Sequence, residues 1–213
     1  MILKVEQISK KMYEADFEIR QENRVIGKIG LQGRAGCMEA DVRVEIFSRE
    51  YALSREGSPH APAKEKRRQD KKEKAYRTYF IDQGKTGRVC QVERKTGLFS
   101  SASFHEMMFE NELFHMYSKS FQTEGKNSVY LQDEQIAQVD APLEIVDDMH
   151  RYTVYAINQK GAEIAVLYCA YMYTVAGFKP GCEITKGYYK QASISFDKTF
   201  EDKYNPDFVR NIY

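Results

Sequence analysis

The chain has 213 residues, a formal net charge of +1 at pH 7 and 30% charged residues. This length suits one large domain or two small ones, and the near-neutral charge argues against a uniformly basic nucleic-acid binder and against an acidic solvating protein. Valine, isoleucine, phenylalanine and tyrosine make up about a quarter of the residues, which favours strands. No catalytic signature accompanies this composition, so the sequence predicts architecture more firmly than activity.

The targeting signals that can be sought in the chain point to a cytoplasmic protein. Charged residues interrupt the amino-terminal stretch, so no signal-peptide core can be drawn. The four cysteines, Cys37, Cys90, Cys169 and Cys182, are scattered singly, as in a reduced protein rather than a disulfide scaffold. The longest apolar run, from Ile164 to Ala176, has 13 residues, fewer than the roughly 20 that a transmembrane helix needs.

The first elements are predicted to be strands. A hairpin spans Ala15 to Leu31, with its turn at residues 21–23. From Met38 to Ile46 apolar and charged residues alternate strictly. A period of two predicts a strand with one buried and one solvated face.

The stretch from Ser48 to Ala75 breaks this pattern and is predicted to be a charged, flexible insertion. It contains glycine, prolines and a basic run from Lys64 to Lys74, in which seven lysines or arginines face three acids, a local charge of +4. Such a segment buries too little apolar area to offset its ordering entropy, although its charge pattern is compatible with a solvated helix over residues 63–74.

Short strands and turns then recur at roughly ten-residue spacing, which indicates a sandwich or barrel. The predicted strands are Tyr76 to Asp82, Arg88 to Arg94, His105 to Phe109, Leu113 to Tyr117, Ser128 to Leu131, Gln135 to Val139 and Arg151 to Ile157. Turns are predicted at Gly84 to Gly87, Lys95 to Gly97 and Gly125 to Asn127, among others.

The segment from Ala162 to Phe178 is apolar on every side, so it must be buried all round. Its length favours a central helix over a doubly covered strand, although its β-branched and tyrosine content favours the strand. After Gly187 the sequence predicts a strand from Lys190 to Phe196 and two short helices, Thr199 to Tyr204 and Asp207 to Ile212.

This arrangement resembles the tubby-like superfamily, which includes the LURP-one-related proteins and the phospholipid scramblases. The segment from Phe104 to Tyr117 is similar to the family's paired strands, and Val129 to Leu131 followed by Glu134 to Val139 is similar to their continuation. Ile164 to Ala176 resembles the hydrophobic helix that family members thread through a closed barrel. The resemblance implies a mainly β fold, a closed or nearly closed antiparallel barrel around a central hydrophobic helix, with short C-terminal helices.

The domain prediction follows from this fold. Residues 1–186 form a single barrel domain, interrupted by the insertion at 48–75, and residues 187–213 form a C-terminal extension. Tubby proteins bind phosphoinositide head groups and scramblases are linked to lipids, so the resemblance implies a non-enzymatic binding or scaffold protein at an anionic membrane surface. No cofactor and no metal site are predicted.

The candidate lipid- or anion-binding residues are the cations of the basic run. They are Lys64, Lys66, Arg67, Arg68, Lys71, Lys72 and Lys74. Each contact of such a run with an anionic surface would be sensitive to salt. A solvated loop is the simpler interpretation, because acids interrupt the run. Nucleic-acid binding is the weaker alternative, since no aromatic side chains lie within the run.

A second hypothesis places a small-molecule or hydrolytic site at one barrel mouth. It predicts a pocket with convergent polar groups and a perturbed histidine or cysteine, and a barrel interior filled by Ile164 to Ala176 would count against it. His105 and His115 lie on adjacent predicted strands and could face one another, with Cys90 as a conceivable nucleophile.

Two other motifs favour structural interpretations. Gly84-Lys85-Thr86 matches the end of a phosphate-binding loop, but Tyr79 stands where that motif needs its first glycine, so a hairpin turn is favoured. The tyrosines near the apolar segment could line a ligand pocket, although packing in the core is the simpler expectation. These tyrosines are Tyr168, Tyr171, Tyr173, Tyr188 and Tyr189.

Overall fold

The computed structural model describes residues 1–35, 40–56, 73–96, 100–190 and 198–212. The barrel strands are β1 (Ile2–Lys10), β2 (Glu14–Gln21), β3 (Arg24–Gly33), β4 (Ala40–Ile46), β5 (Arg49–Arg55), β6 (Glu73–Ile81), β7 (Gly87–Lys95), β8 (Ser101–Phe109), β9 (Glu112–Ser120), β10 (Glu124–Leu131), β11 (Glu134–Pro142) and β13 (Arg151–Ala156). The other elements are β12 (Glu144–Val146), helix α1 (Gln159–Met172), a π-helical turn (Tyr173–Gly177), β14 (Tyr188–Lys190) and 3-10 turns at Asp82–Gly84, Lys198–Lys203 and Val209–Ile212.

Twelve antiparallel strands close into one barrel. Strands β1 to β11 are neighbours in chain order, and β13 pairs with β11 on one side and with β1 on the other. The closing pair aligns Leu3 with Val154, and both side chains are buried. Because every barrel strand pairs with a neighbour on each side, closure reduces the strand edge that is available for edge-to-edge association. The predicted mainly β barrel is thus confirmed, with 59% of the described residues in strands.

Helix α1 fills the barrel. Every residue from Gly161 to Tyr171 is buried, and the side chain of Asn158 caps the helix by accepting a hydrogen bond from the Gly161 N–H at 2.8 Å. Small residues alternate with large ones around the helix, so it fits between strands on all sides. The choice between helix and strand for the apolar segment is therefore resolved in favour of the helix. Among the described residues, no helix is long and apolar enough to cross a membrane.

Glu163 is the one acidic residue of α1, and its carboxylate is only 3% exposed. It accepts hydrogen bonds from the Tyr51 hydroxyl and, at 3.3 Å, from Arg49 Nη1. Arg49 also pairs with Glu110 at the rim of the barrel. A buried carboxylate needs such partners, because an unpaired charge in the core is strongly destabilising.

Several sequence predictions are corrected by the strands. Strand β1 was not predicted at all, because charges occupy its outer face. Strand β5 and the start of β6 lie inside the range 48–75 that was predicted to be an insertion, and residues 57–72 lie outside the described residues. The turn predicted at Gly125 to Asn127 lies within β10, and the chain turns instead at residues 121–123.

The C-terminal predictions are partly met. The short helices are 3-10 turns, and the predicted strand at 190–196 falls mostly outside the described residues. Strand β14 instead pairs with β12 outside the barrel, where Val146 lies opposite Tyr188. Phe200 packs on the outer face of the barrel against Phe104 and Tyr117.

We expect Gly161→Ala to lower the free energy of unfolding by about 1–3 kcal/mol, because overpacking of a filled core costs that much. A Cβ atom at this position would lie 2.8 Å from the backbone oxygen of Ile136. Gly30→Ala is the matched control, since its Cβ would have its nearest neighbour at 3.7 Å. Equilibrium urea denaturation measures both. Helix propensity alone predicts that alanine stabilises α1, so a gain in stability for Gly161→Ala would contradict the packing argument.

Candidate functional site at the exit end of the barrel

The up-and-down order of the strands decides which loops meet at each end of the barrel. Helix α1 begins at one end, which we call the entry end, and stops at the other, which we call the exit end. The exit end carries residues 11–13, 121–123 and 143–150 and the segment that follows the π turn. Strand β5 also ends there and β6 begins there.

A buried ion pair lies at the exit end. Lys10 donates to Asp148, and their side chains are only 8% and 9% exposed. Asp148 also accepts a hydrogen bond from the Tyr189 hydroxyl at 2.7 Å and one from the Thr185 N–H at 3.4 Å. Burial opposes ionisation of Asp148, but the hydrogen bonds from Lys10 and Tyr189 outweigh it and hold its pKa below the ordinary value. The pair ties β1 to the connection between β12 and β13, and the hydrogen bonds from Thr185 and Tyr189 join the segment that follows the helix to the same carboxylate.

His150 lies beside this ion pair. Its backbone N–H donates to Gln7 Oε1 at 2.9 Å, and its ring packs edge-on against Tyr173, with centroids 4.9 Å apart. Its Nε2 atom is 3.5 Å from the Tyr189 hydroxyl. Burial, together with the charge of Lys10, lowers the pKa of His150 to about 4. The imidazole is therefore neutral at pH 7.

A cavity of about 60 Å³ lies inside the exit end, between α1 and strands β9, β10 and β11. Small residues make the space, among them Gly125, Ala141 and Gly177. The helix contributes Tyr168, Cys169 and Met172, and His150 lies on the outer side.

An open cleft of about 480 Å³ adjoins this cavity. His150, Ala176 and Gly177 line both spaces, so they form the partition between them. The charged residues of the cleft are Lys10, Lys179 and Lys190 on the positive side and Asp148 and Glu183 on the negative side. Cavity and cleft together form the candidate site.

The cations that the sequence predicts to bind lipid do not line the cavity or the cleft, as far as the structure describes them. Lys64, Lys66, Arg67, Arg68, Lys71 and Lys72 fall outside the described residues. Lys74 is exposed near the start of β6. The expectation that these cations bind lipid therefore stays a prediction.

The predicted pairing of His105 with His115 is wrong. In the register of β8 and β9, His105 lies opposite Met116 and Glu106 lies opposite His115, so the two histidines are on opposite faces. His105 points inward, with its Nδ1 atom 3.2 Å from the Tyr168 hydroxyl. His115 lies on the outer face, 3.9 Å from Glu106.

The other chemical candidates have structural surroundings. Cys90 packs in an outer cluster with Val92 and Phe104. Burial raises the pKa of Cys169, which keeps it a protonated thiol rather than a nucleophile. Residues 82–86 form the connection between β6 and β7, as the hairpin-turn interpretation predicted. Among the described residues, no group of three or more His, Cys, Asp or Glu side chains is placed to hold a metal ion.

The sequence analysis missed Asp148 and His150 as site residues. A local signal was present, because Asp147, Asp148 and His150 lie close together in the sequence directly before β13. Their partners Lys10 and Tyr189 are distant in sequence; barrel closure brings Lys10 to the site, and the pairing of β12 with β14 brings Tyr189. Of the tyrosines near the helix, Tyr168, Tyr171 and Tyr173 pack in the core as expected.

Comparison with known proteins identifies no relative. The chain matches no family model, no curated protein and no solved structure.

The two buried histidines make the stability of the protein dependent on pH. Burial lowers the pKa of His105, as it does that of His150, from 6.5 to about 4. Between these values the unfolded chain binds more protons than the folded one, so we expect the free energy of unfolding to fall as pH drops from about 6.5 to about 4. Each histidine should contribute on the order of 1–3 kcal/mol over this window.

Urea denaturation at several pH values between 7 and 4 measures this slope. His105→Gln and His150→Gln should each flatten it, whatever they do to stability at pH 7. His115→Gln is the matched control, because this ring is partly exposed on the outer face, and it should flatten the slope less than either buried-site variant does. An unaltered slope in both buried-site variants would contradict the assignment.

Proposed function

We propose that this protein is a non-enzymatic binding protein of the tubby-like kind, which docks on anionic membrane surfaces through the exit end of its barrel. The observation that carries the proposal is the helix inside the closed barrel. Helix α1 occupies the interior, so a large internal substrate chamber of the kind found in ligand-carrying barrels is absent from the described part of the molecule. Such a protein works through its surface.

The exit end has the composition of a membrane-facing surface. Met12, Ile184 and Tyr188 are exposed there by 47%, 38% and 61%. The backbone oxygen of Met12 accepts a hydrogen bond from the Gly181 N–H at 2.8 Å, so its turn lies beside the segment that leaves the helix. Exposed apolar side chains among lysines favour an interface between water and lipid.

The distribution of positive charge also favours docking through the exit end. Lys179, Lys186 and Lys190 are exposed in this region. The basic run at residues 64–74 lies between β5 and β6, whose ends at Arg55 and Glu73 belong to the exit end. Each lysine or arginine near an anionic surface contributes about 1 kcal/mol, and this attraction falls within a Debye length.

Flotation with liposomes tests the proposal. We expect the protein to float with phosphatidylcholine vesicles that contain phosphatidylinositol bisphosphate at about 20 mM salt, but not with pure phosphatidylcholine, and to dissociate at about 0.5 M salt because its contacts are screened. A variant in which Lys66, Arg67, Arg68 and Lys71 are replaced by glutamine should lose at least tenfold in affinity.

The matched control replaces four exposed cations away from the basic run. They are Lys4, Arg24, Arg43 and Lys85. This control variant should float as the wild type does. Failure to float at low salt, or equal losses in both variants, would refute docking through the exit end. Salt-dependent retention of an oligonucleotide without flotation would favour the nucleic-acid alternative.

A further inference from the structure

The cavity and the cleft at the exit end adjoin each other. Together they match a molecule that has one apolar end and one polar end. The cavity lies between the helix and three strands, and the cleft adjoins it on the outer side of the barrel. His150, Ala176 and Gly177 line both, so a molecule that passes this partition touches both spaces. A narrow ligand fits there, with one end inside the barrel and the other outside.

The wall of the cavity is more apolar than its residue names suggest. Asn127 accepts a hydrogen bond from the Ser118 hydroxyl at 2.7 Å and donates one to the backbone oxygen of Val139 at 3.1 Å. The Tyr168 hydroxyl is engaged with His105. The Lys119 ammonium group lies over the rings of Phe121 and Tyr204. Because these polar groups have partners of their own, the space is best matched by a hydrocarbon chain.

The cleft favours an anion at its solvent side. Lys10 is neutralised by Asp148, whereas Lys179 and Lys190 are exposed and have no ion-pair partner among the described residues. Glu183 is the opposing charge of the cleft. The neutral imidazole of His150 adds a polar group without charge at the partition. Two lysine ammonium groups can hold one carboxylate.

We propose that the exit end binds one medium-chain carboxylate, with its chain in the cavity and its carboxylate between Lys179 and Lys190. This ligand site is distinct from the basic run and does not depend on docking to membranes. The covalent structure of the ligand is unchanged on binding.

The size of the cavity sets the chain length. A water molecule, which is close in size to a methylene group, needs about 10–15 Å³ of such space. A cavity of about 60 Å³ therefore holds roughly four or five carbons. A few more carbons of the chain fit where it passes the partition. Octanoate is therefore about the longest chain that the cavity and the partition together accommodate.

Isothermal titration calorimetry with butanoate, hexanoate, octanoate and dodecanoate, each below its aggregation concentration, tests the proposal. We expect affinity to rise about fourfold for each added methylene group up to octanoate, because each buried methylene contributes about 0.8 kcal/mol, and then to level off. Octylammonium, which has the same chain and the opposite charge, should bind at least tenfold more weakly than octanoate.

Two pairs of variants separate the roles of chain and head group. Ala141→Leu fills the cavity and should reduce octanoate affinity at least tenfold, whereas Ala52→Leu, on the outer face of the barrel, should not. Replacing Lys179 and Lys190 by glutamine should weaken octanoate binding severalfold and leave octanol binding unchanged, whereas the same replacement of the exposed Lys4 and Lys85 should have no effect.

The proposal is overturned if octanoate shows no saturable binding, if Ala141→Leu binds it as the wild type does, or if octylammonium binds equally well. The variant with a neutralised basic run should bind octanoate normally, so this experiment and the flotation assay can fail independently. Thermal denaturation of each variant verifies that it is folded before titration.

Discussion

A closed barrel of twelve strands needs a filled interior, and most of the structure follows from that requirement. The inward-facing side chains of the strands do not meet across the centre, so α1 supplies the missing apolar volume. This explains why the segment is apolar on every side, a pattern that no partly exposed helix could carry. It also explains Gly161, which lets the first turn of the helix approach the backbone of Ile136.

The same requirement creates the site. Where α1 stops, the barrel interior must be closed by other groups, and the π turn, Tyr173 and His150 do this. The closure is incomplete, because small residues leave a cavity beside the helix. A buried ion pair between Lys10 and Asp148 then fastens the first strand to the connection between β12 and β13. The exit end of the barrel therefore combines a buried ion pair, which makes it rigid, with a cavity large enough for a small ligand.

The predictions that succeeded depended on periodicity. Alternation predicted β2, β3 and β4, and uniform apolarity predicted a buried segment, which the structure confirms from Ile164 to Tyr171, whereas Ala176 is exposed. Failures occurred where tertiary pairing overrides local signals. Gly125 to Asn127 has the composition of a turn, yet ladder bonds to β9 and β11 extend it as a strand. Strand β5 was assigned to the insertion, because its charged residues lie on the face that the barrel leaves in water.

The sequence by itself determined the fold class, since strand periodicity and one all-apolar helix permit few architectures besides a filled barrel. It also determined where the positive charge lies along the chain. Only the tertiary structure decided which residues form the candidate site, because Lys10, His150 and Tyr189 come from three distant segments. Barrel closure joins the first strand to the last, and no local pattern encodes a contact across about 140 residues.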